Sequence, residues 1–381
     1  GAIAGALTNS SGQFSGNDVY DGFVLGNTTT GGLIGRLASN SHIHASSYIG
    51  TVTGYYSSQN FSGSGTPQNI GGIVGKMQGG SVLRKSFFDG HVFGINYVGG
   101  IAGVNSGSEI SDSYSVGTIT AEGSYIGGIT GNSGYDNNDT GRVHNFTSSV
   151  ITTLNNSSNV GPVVGGQSST YEGADNFWNS NLTNLTSAGG SIDFPKTTQQ
   201  LKTKSTFTDQ GWDFTNTWII TGNLNNGYPA LKGNNDIGLI DFEFNDQSLS
   251  GTLTLSEPLY SHDSTSLTIQ ASDVLISIYD PENAASLTSS NPLNFQVSSD
   301  LKAFSFSASI TGNLNGNEEI RLAPAGSNSI FTSSGENVDD DIYLSYPLSY
   351  LLPDYLPTNG LIAWYPFNGN ANDESGNGNN G

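Results

Sequence analysis

The chain has 381 residues, which is enough for two or three domains with separate cores. It carries 11 Lys and Arg against 32 Asp and Glu, so the formal net charge of −21 reflects missing bases more than abundant acids. This balance argues against nucleic acid and anionic membrane surfaces as partners, because both need a basic patch. The lack of cysteine excludes disulfides and thiolate metal sites, and no apolar run reaches the roughly 18 residues that would predict membrane insertion.

A glycine-dominated phrase of five residues occurs six times before residue 166. Successive copies begin 30, 40, 28, 28 and 34 residues apart, which is the spacing of stacked structural units. Most copies are followed by an aromatic residue and alternating Val, Ile and Thr, and this period-2 pattern predicts strands. The copies of this glycine phrase are Gly1–Gly5, Gly31–Gly35, Gly71–Gly75, Gly99–Gly103, Gly127–Gly131 and Gly161–Gly165.

We interpret residues 1–195 as one Gly-rich β-solenoid, in which each unit forms one coil of two or three short strands. The strands of one coil pair with those of the coils above and below, about 4.8 Å away. Ile73, Ile101 and Ile129 then stack in a narrow interior, and the glycines lie at corners or where two backbones pack closely. A phosphate-binding loop would instead need a helix after the glycines, where this sequence predicts strands.

Residues 196–235 are predicted to cap the solenoid and to link it to the next domain. The segment "TTQQLKTKSTF" predicts a short helix in which Thr197 and Gln200 form a capping box. A terminal coil needs a cover for its open end. The aromatic residues expected to seal that end are Trp178, Trp212, Phe214 and Trp218.

The segments "GGIVG", "GGIAGVNSG" and "GGITGNSG", each followed by an aromatic-containing strand, resemble the GLUG repeat. That repeat occurs in large secreted and surface proteins of bacteria, often adhesin-like. Residues 175–190, 196–214 and 217–232 resemble the terminal segment of such arrays, so the resemblance covers roughly 1–232. It implies a structural role at the bacterial surface. Because Gly1 already lies inside a glycine phrase, we expect an N-terminally truncated fragment of a longer array.

Residues 236–350 show a different pattern, with longer alternating strands between turns. Ile240, Phe242 and Phe244 alternate with polar residues, and six further alternating segments follow. This number of strands predicts an antiparallel β-sandwich. The segments "LTLSEPLY", "GNLNGNEEIRLAP" and "SIFTSSGENV" resemble a bacterial immunoglobulin-like module, which implies a spacer. The six segments span 251–260, 266–280, 293–299, 303–310, 318–324 and 341–348.

The C-terminal part begins with a proline-rich linker at 351–358, which is predicted to be stiff. Residues 359–381, "NGLIAWYPFNGNANDESGNGNNG", resemble the opening strand of a concanavalin A-like, or laminin-G-like, domain. Only the start of that lectin-like domain is present. The resemblance implies glycans or extracellular matrix as partners, bound through the rest of the domain.

An enzyme is the alternative from another class, namely a carbohydrate-active β-solenoid such as a polysaccharide lyase or glycosidase. These enzymes cluster carboxylates on one face. Asp21, Asp89 and Asp112 lie near equivalent positions of successive units and are the residues that would form such a ladder. Convergence of three acids in one groove would favour the enzyme, and their scatter would favour a stalk. We assign no catalytic residue and predict that the chain is not an enzyme.

Two segments carry residue types that bind metals. His42 and His44 share one face of a predicted strand, but no third ligand is apparent nearby. "DNNDTG" begins like a calcium loop, with Asp136, Asn138 and Thr140 at alternate positions before a glycine. The acidic residue that should close the loop is replaced by Thr147. Calcium binding by Asp136, Asn138 and Thr140 therefore stays an alternative, and the sequence implies no other cofactor.

The sequence therefore predicts an all-β chain made of a solenoid, an immunoglobulin-like sandwich and a truncated lectin-like strand. The predicted function is a non-enzymatic stalk and spacer in a secreted or cell-surface bacterial adhesin-like protein, where it presents a binding domain.

Overall fold

The structure is a computed structural model of the chain. It divides into two compact units, unit 1 (Gly1–Trp218) and unit 2 (Ile219–Gly381). The predicted cap and linker, 196–235, is thus shared between the units, and the predicted proline-rich linker lies outside the described residues. The structure describes residues 1–8, 13–54, 68–134, 142–167, 175–183, 185, 193–233, 239–246, 248–261, 267–282, 285–312, 314, 316–333, 335, 337–338, 340, 342–348, 360–365, 373, 375, 377 and 379.

Strands dominate the described residues, and most strand pairs are parallel. The helices are short: two α-helices, Thr198–Leu201 and Lys204–Thr208, and two 3-10 turns, Leu224–Gly227 and Ala271–Asp273. The prediction of an all-β chain is confirmed.

Unit 1 contains four parallel sheets, and in each sheet the spatial order of the strands is their order along the chain. Sheet I consists of Ala4–Leu7, Ile34–Leu37, Val74–Gln78, Ala102–Ser106, Thr130–Ser133 and Val164–Gln167. Sheet II consists of Gln13–Ser15, His42–His44, Val82–Arg84, Glu109–Ser111 and Arg142–Val143. Sheet III consists of Asp18–Gly26, Ser47–Gly54, Phe87–Gly94, Tyr114–Ala121, Phe146–Thr153, Asn176–Asn179 and Asp193–Lys196. Sheet IV consists of Thr28–Gly31, Gln68–Gly71, Asn96–Gly99, Ile126–Gly127 and Val160–Gly161.

The chain runs through sheets I, II, III and IV in turn and then returns to sheet I, so each pass adds one strand to every sheet through most of unit 1. Equivalent residues of successive passes pair with each other, as Ile43 pairs with Leu83 and Leu83 with Ile110. The glycine phrase connects the two end sheets of a pass: Gly99 ends a strand of sheet IV and Ala102 begins the next strand of sheet I.

One part of the core of unit 1 is formed by the third residue of every glycine phrase after the first, which lies at a corner of the chain. Leu33, Ile73, Ile101, Ile129 and Val163 are all fully buried. The backbone N–H of each donates to the carbonyl of the next at 2.9–3.0 Å, so these residues lie directly above one another. Like side chains fill the same space in every pass, which removes apolar surface from water without changing the backbone path.

The glycines of the phrase allow adjacent passes to touch through their backbones. A Cβ on Gly99 would lie 2.1 Å from the Ala102 oxygen and 2.7 Å from the Gly131 nitrogen, and a Cβ on Gly100 would lie 2.1 Å from the Gly128 oxygen. The sixth copy carries Pro162 in place of the second glycine. Among the described residues no strand of sheet IV follows that copy, so the missing N–H of the proline removes no hydrogen bond to a described strand.

The corner between sheets II and III is held by a ladder of buried polar side chains. The side-chain oxygen of each residue accepts the backbone N–H of its counterpart one pass earlier, at 3.0–3.3 Å, which satisfies donors that would otherwise be orphaned. The residue before each member lies in the left-handed region, with φ between 46° and 56°. The ladder comprises Ser46, Ser86, Ser113, Asn145 and Asn176.

The segment after sheet III, which was predicted to cap the end of the solenoid, packs its aromatic residues against the outer face of that sheet. Its first helix has the predicted capping box, with the Gln200 N–H donating to Thr197 Oγ1 at 3.2 Å. Trp178 packs into the core, whereas Trp212 and Trp218 lie outside that core cluster and Phe214 is half-buried beside Phe207. Trp212 and Trp218 lie against an aromatic ladder on the outer face of sheet III, where the apolar rings of successive strands already stack. The stacked rings of that ladder are Phe87, Tyr114 and Phe146, with centroids 4.9 Å apart at each step.

From Leu239 onward the described strand pairs of unit 2 are antiparallel. A four-stranded sheet has the order Leu239–Asn245, Ser250–Leu255, Ala303–Ser307, Leu293–Val297. A three-stranded sheet has the order Val274–Tyr279, Glu319–Pro324, Leu344–Pro347. Two strand pairs are Tyr260–Ser261 with Ile330–Phe331 and Ala285–Leu287 with Ile310–Gly312. The remaining short strands are Trp218–Ile219 and Ala230–Leu231.

The strand Leu239–Asn245 corrects the predicted alternation at one position. Phe242 and Phe244 are buried as expected, but the register shifts between Leu239 and Asp241. The bulge reverses which side chain points inward, because an extra residue changes the parity of the pleat. Leu239 is therefore fully buried, and Ile240 is only half-buried.

The predicted lectin-like strand is not formed by the described part of the C-terminus, where residues 361–365 lie outside every sheet. Side chains take up its backbone groups instead. The Trp364 N–H donates to Asp373 Oδ1 at 2.8 Å, and the Asn377 amide donates to the Leu361 carbonyl at 2.8 Å. The Asn379 N–H donates to Asp373 Oδ2 at 2.9 Å. Burial acts to raise the pKa of Asp373, but the hydrogen bonds it accepts outweigh burial and hold that pKa well below its usual value.

Candidate functional site

The three acidic residues of the enzyme alternative occupy unrelated positions. Asp21 lies at a bulge in sheet III with a left-handed φ of 51°. Asp89 lies within a strand of sheet III, where its neighbours are Ile49 and Val116. Asp112 takes the left-handed corner position between sheets II and III.

The local chemistry of these acids also differs. Burial raises the pKa of the Asp89 carboxyl, and no carboxylate stands at the equivalent position of either adjacent strand. At its corner, Asp112 is equivalent to Lys85 and His144, and its Oδ1 is 3.7 Å from His144 Nδ1. The three acids therefore do not form the ladder that the sequence suggested for an enzyme.

His42 and His44 lie on one strand of sheet II, as predicted. Burial, followed by the charges of Lys85 and Arg84, lowers the pKa of His44. Arg84 also pairs with Glu109 at 2.8 Å. Within the ranges that the structure describes, no three His, Asp or Glu side chains are grouped as metal ligands. The calcium-loop candidates Asp136, Asn138 and Thr140 lie outside those ranges.

A different surface emerges on the outer side of sheet III, where the second halves of five strands lie side by side. One row of residues in register is Phe23, Thr51, His91, Thr118 and Val150. The next row is Leu25, Thr53, Phe93, Thr120 and Thr152. These ten residues contain no Asp, Glu, Lys or Arg, and we call them the neutral face.

The neutral face is open and mixed in chemistry. Phe23 is 69% exposed and Leu25 is 53% exposed, although both are large hydrophobic side chains. Of seven such exposed side chains in the described part of unit 1, four lie on strands of sheet III. His91 Nδ1 lies 2.6 Å from Thr118 Oγ1, so polar groups on neighbouring strands already interact.

Sequence reasoning missed this face, although a signal was present. In each of the five strands the two residues flank one inward-facing aliphatic residue, as Thr51 and Thr53 flank Val52. The segments "FVL", "TVT", "HVF", "TIT" and "VIT" align only when the strands are paired, because the spacing between them varies from 27 to 40 residues. The face is therefore a property of register rather than of any one motif.

Comparisons of the chain with family models, with curated proteins and with solved structures found no match. In the part of the chain that the structure describes, no helix has the length and apolar character needed to cross a membrane.

Proposed function

We propose that the chain is a non-enzymatic segment of a secreted or cell-surface bacterial adhesin-like protein. In this proposal unit 1 is a GLUG-type β-solenoid that serves as a stalk, and unit 2 is an immunoglobulin-like spacer. Their role is to present a binding domain, and glycans or extracellular matrix are the partners that the C-terminal resemblance suggests. The mechanism is mechanical and multivalent: stiff modules hold a binding domain away from the cell.

The observation that carries the proposal is the continuous parallel pairing of unit 1. Each of four sheets runs through five or more passes with equivalent residues in register. Backbone hydrogen bonds thus run along the stacking direction in every sheet, and bending the stack requires several of them to break together. This arrangement suits a stalk, since its function depends on resistance to bending rather than on a reactive group.

Buried side-chain ladders add to this stiffness. Ser113 accepts the Ser86 N–H at 3.2 Å, and Asn145 accepts the Ser113 N–H at 3.0 Å, within a fully buried corner. A buried donor that loses its acceptor costs about 1–3 kcal/mol, so the corners resist separation of adjacent passes.

The antiparallel sheets of unit 2 support its proposed role as a spacer. Leu253 and Phe304 of the four-stranded sheet share one apolar core with Leu322 of the three-stranded sheet. Two sheets packed through their inner faces are the basis of sandwich modules, which fold as separate domains in multidomain chains.

A bead-capture assay tests the stalk function. The chain is inserted between a bacterial outer-surface anchor and a binding head of known ligand, and ligand-coated beads are presented to encapsulated cells. We expect more beads captured than with a Gly/Ser linker chosen to have the same mean span, because a flexible chain spends much of its time at distances shorter than its mean, whereas a stack of paired strands holds one distance. Equal capture by both would contradict the proposal.

A second measurement addresses the non-enzymatic part. The purified chain is incubated with neutral and acidic polysaccharides, and new reducing ends and unsaturated products are followed. Release of either at a rate proportional to protein concentration would overturn the proposal in favour of a carbohydrate-active enzyme.

A further inference from the structure

The neutral face departs from the chemistry of the rest of the molecule. The chain carries a net charge of −21, yet ten outward-facing positions on five neighbouring strands have no Asp, Glu, Lys or Arg. Their one titratable side chain is His91, and Asp89 borders the face two residues before it. Large exposed apolar side chains are concentrated in the same sheet, led by Phe23 and Leu25. Exposed large apolar side chains set among uncharged polar ones are more typical of a binding surface than of a solvated one.

The geometry of the face is regular. Adjacent strands in a sheet are about 4.8 Å apart, so five strands extend over roughly 19 Å. Alternate residues of a strand are about 7 Å apart, which sets the distance between the two rows. A surface of about 19 by 7 Å that runs across the strands matches a linear ligand lying in the same direction.

The side chains define the chemistry of that ligand. Phe23 and Phe93 offer aromatic rings, on which the C–H faces of sugar rings pack. Thr51, Thr53 and Thr118 offer hydroxyls that both donate and accept hydrogen bonds, as sugar hydroxyls do. Apolar contact combined with a few placed polar groups is the usual composition of ligand sites.

Charge discriminates between the candidate occupants. A second copy of this chain would bring another charge of −21 against the first, and an anionic polysaccharide or nucleic acid would be repelled in the same way. A neutral ligand avoids this repulsion. We propose that the neutral face binds an extended, uncharged polysaccharide of the β-1,4-linked type, so that unit 1 itself adheres to a glycan surface. This goes beyond the stalk function, since a stalk needs no ligand of its own.

The test is a depletion assay with the full chain. Insoluble cellulose and insoluble chitin are the two neutral probes, and soluble alginate in affinity electrophoresis is the anionic one. We expect saturable depletion of the protein by cellulose or chitin and no retardation by alginate. The absence of depletion by both neutral probes, or retardation by alginate, would overturn the inference.

Two variants locate the binding surface. Phe23→Ala with Leu25→Ala removes exposed apolar contacts, and Thr118→Glu places a charge in the middle of the face; we expect each to weaken binding about tenfold. Matched controls in unit 2 are Leu275→Ala with Leu293→Ala, which are 38% and 37% exposed, and Thr252→Glu on an exposed strand position. The controls should bind as the original chain does.

Folding and self-association are checked on the same proteins. Because Phe23 and Leu25 are exposed, the circular dichroism spectrum and melting temperature should not change, and a loss of binding then reports the face itself. Binding that survives both face variants would refute the inference. A dimer in sedimentation equilibrium that Thr118→Glu dissociates would assign the face to a second copy instead. None of these results bears on bead capture, so the stalk proposal is tested separately.

Discussion

Replacing Gly103 by Ala tests whether the glycine phrase recurs because adjacent backbones must touch. The new Cβ would lie 2.4 Å from the carbonyl carbon of Asn69 and 2.5 Å from the nitrogen of Ile70. Both contacts are shorter than close-packed atoms allow. The neighbours are backbone atoms of a sheet IV strand, so rotation of a side chain cannot relieve the overlap.

The expected loss is at the upper end of the usual range for overpacking. One extra methyl group in a packed core lowers the free energy of unfolding by about 1–3 kcal/mol. Because the neighbours here are rigid backbone atoms, we expect a loss of about 3 kcal/mol. For a unit of this size each kcal/mol lowers the melting temperature by about 2–4 °C, so the Gly103→Ala protein should melt about 6–12 °C lower.

Gly5→Ala is the matched control, because Gly5 has the same position in the first copy of the phrase. A Cβ there meets no atom within 4 Å, and neither glycine has a left-handed φ, so the two substitutions differ only in their neighbours. We expect no loss for Gly5→Ala in calorimetric melts of the full chain. Equal melting of Gly103→Ala and the original chain, or equal losses for both variants, would refute the argument.

Three further predictions concern the ladders, charge and stacking of unit 1. Asn145→Ala removes the acceptor of the Ser113 N–H, 3.0 Å away, so denaturant unfolding should show a loss of about 1–3 kcal/mol, whereas Asn145→Ser keeps an acceptor and should lose less. Burial raises the pKa of Asp89 above its usual 3.8, so the folded state loses stability as pH rises and this carboxyl ionises. Asp89→Asn removes that cost and should raise the melting temperature at pH 7. The gain should vanish in scans below pH 3.8, where the carboxyl is protonated in both the folded and the unfolded state. Deleting 99–126 removes one pass of 28 residues and should leave a folded, cooperatively melting chain. Deleting 99–112 breaks the register of unit 1 and should reduce the β signal in circular dichroism, leaving the contribution of unit 2.

Much of the architecture follows from local sequence patterns. The alternation of Val, Ile and Thr after each glycine phrase specifies strands, and the all-β prediction holds for this reason. The capping box at Thr197 and Gln200 was also visible, since both partners lie within one turn of helix. Ile73, Ile101 and Ile129 were expected to be neighbours from spacing alone, and their backbone hydrogen bonds join them in that order.

Other features depend on contacts between residues far apart in the chain. Whether Leu239 or Ile240 points into the core depends on a bulge in the pairing with the neighbouring strand, and no local sequence pattern shows that bulge. Residues 361–365, which resemble an opening strand, form hydrogen bonds with side chains through backbone groups that a sheet would use. The Trp364 N–H donates to Asp373, and the side-chain amides of Asn377 and Asn379 donate to the carbonyls of Leu361 and Ile362.

The sequence by itself determined the strands, their repeat and the buried corner residues, because these depend on period and side-chain type. Only the tertiary structure decided which side chains lie together on the outer faces of the sheets. Pairing in register separated Asp21, Asp89 and Asp112, placed Trp212 and Trp218 on the aromatic ladder, and assembled the neutral face. The physical reason is that a face belongs to several strands at once, so its composition depends on a register that irregular loop lengths conceal.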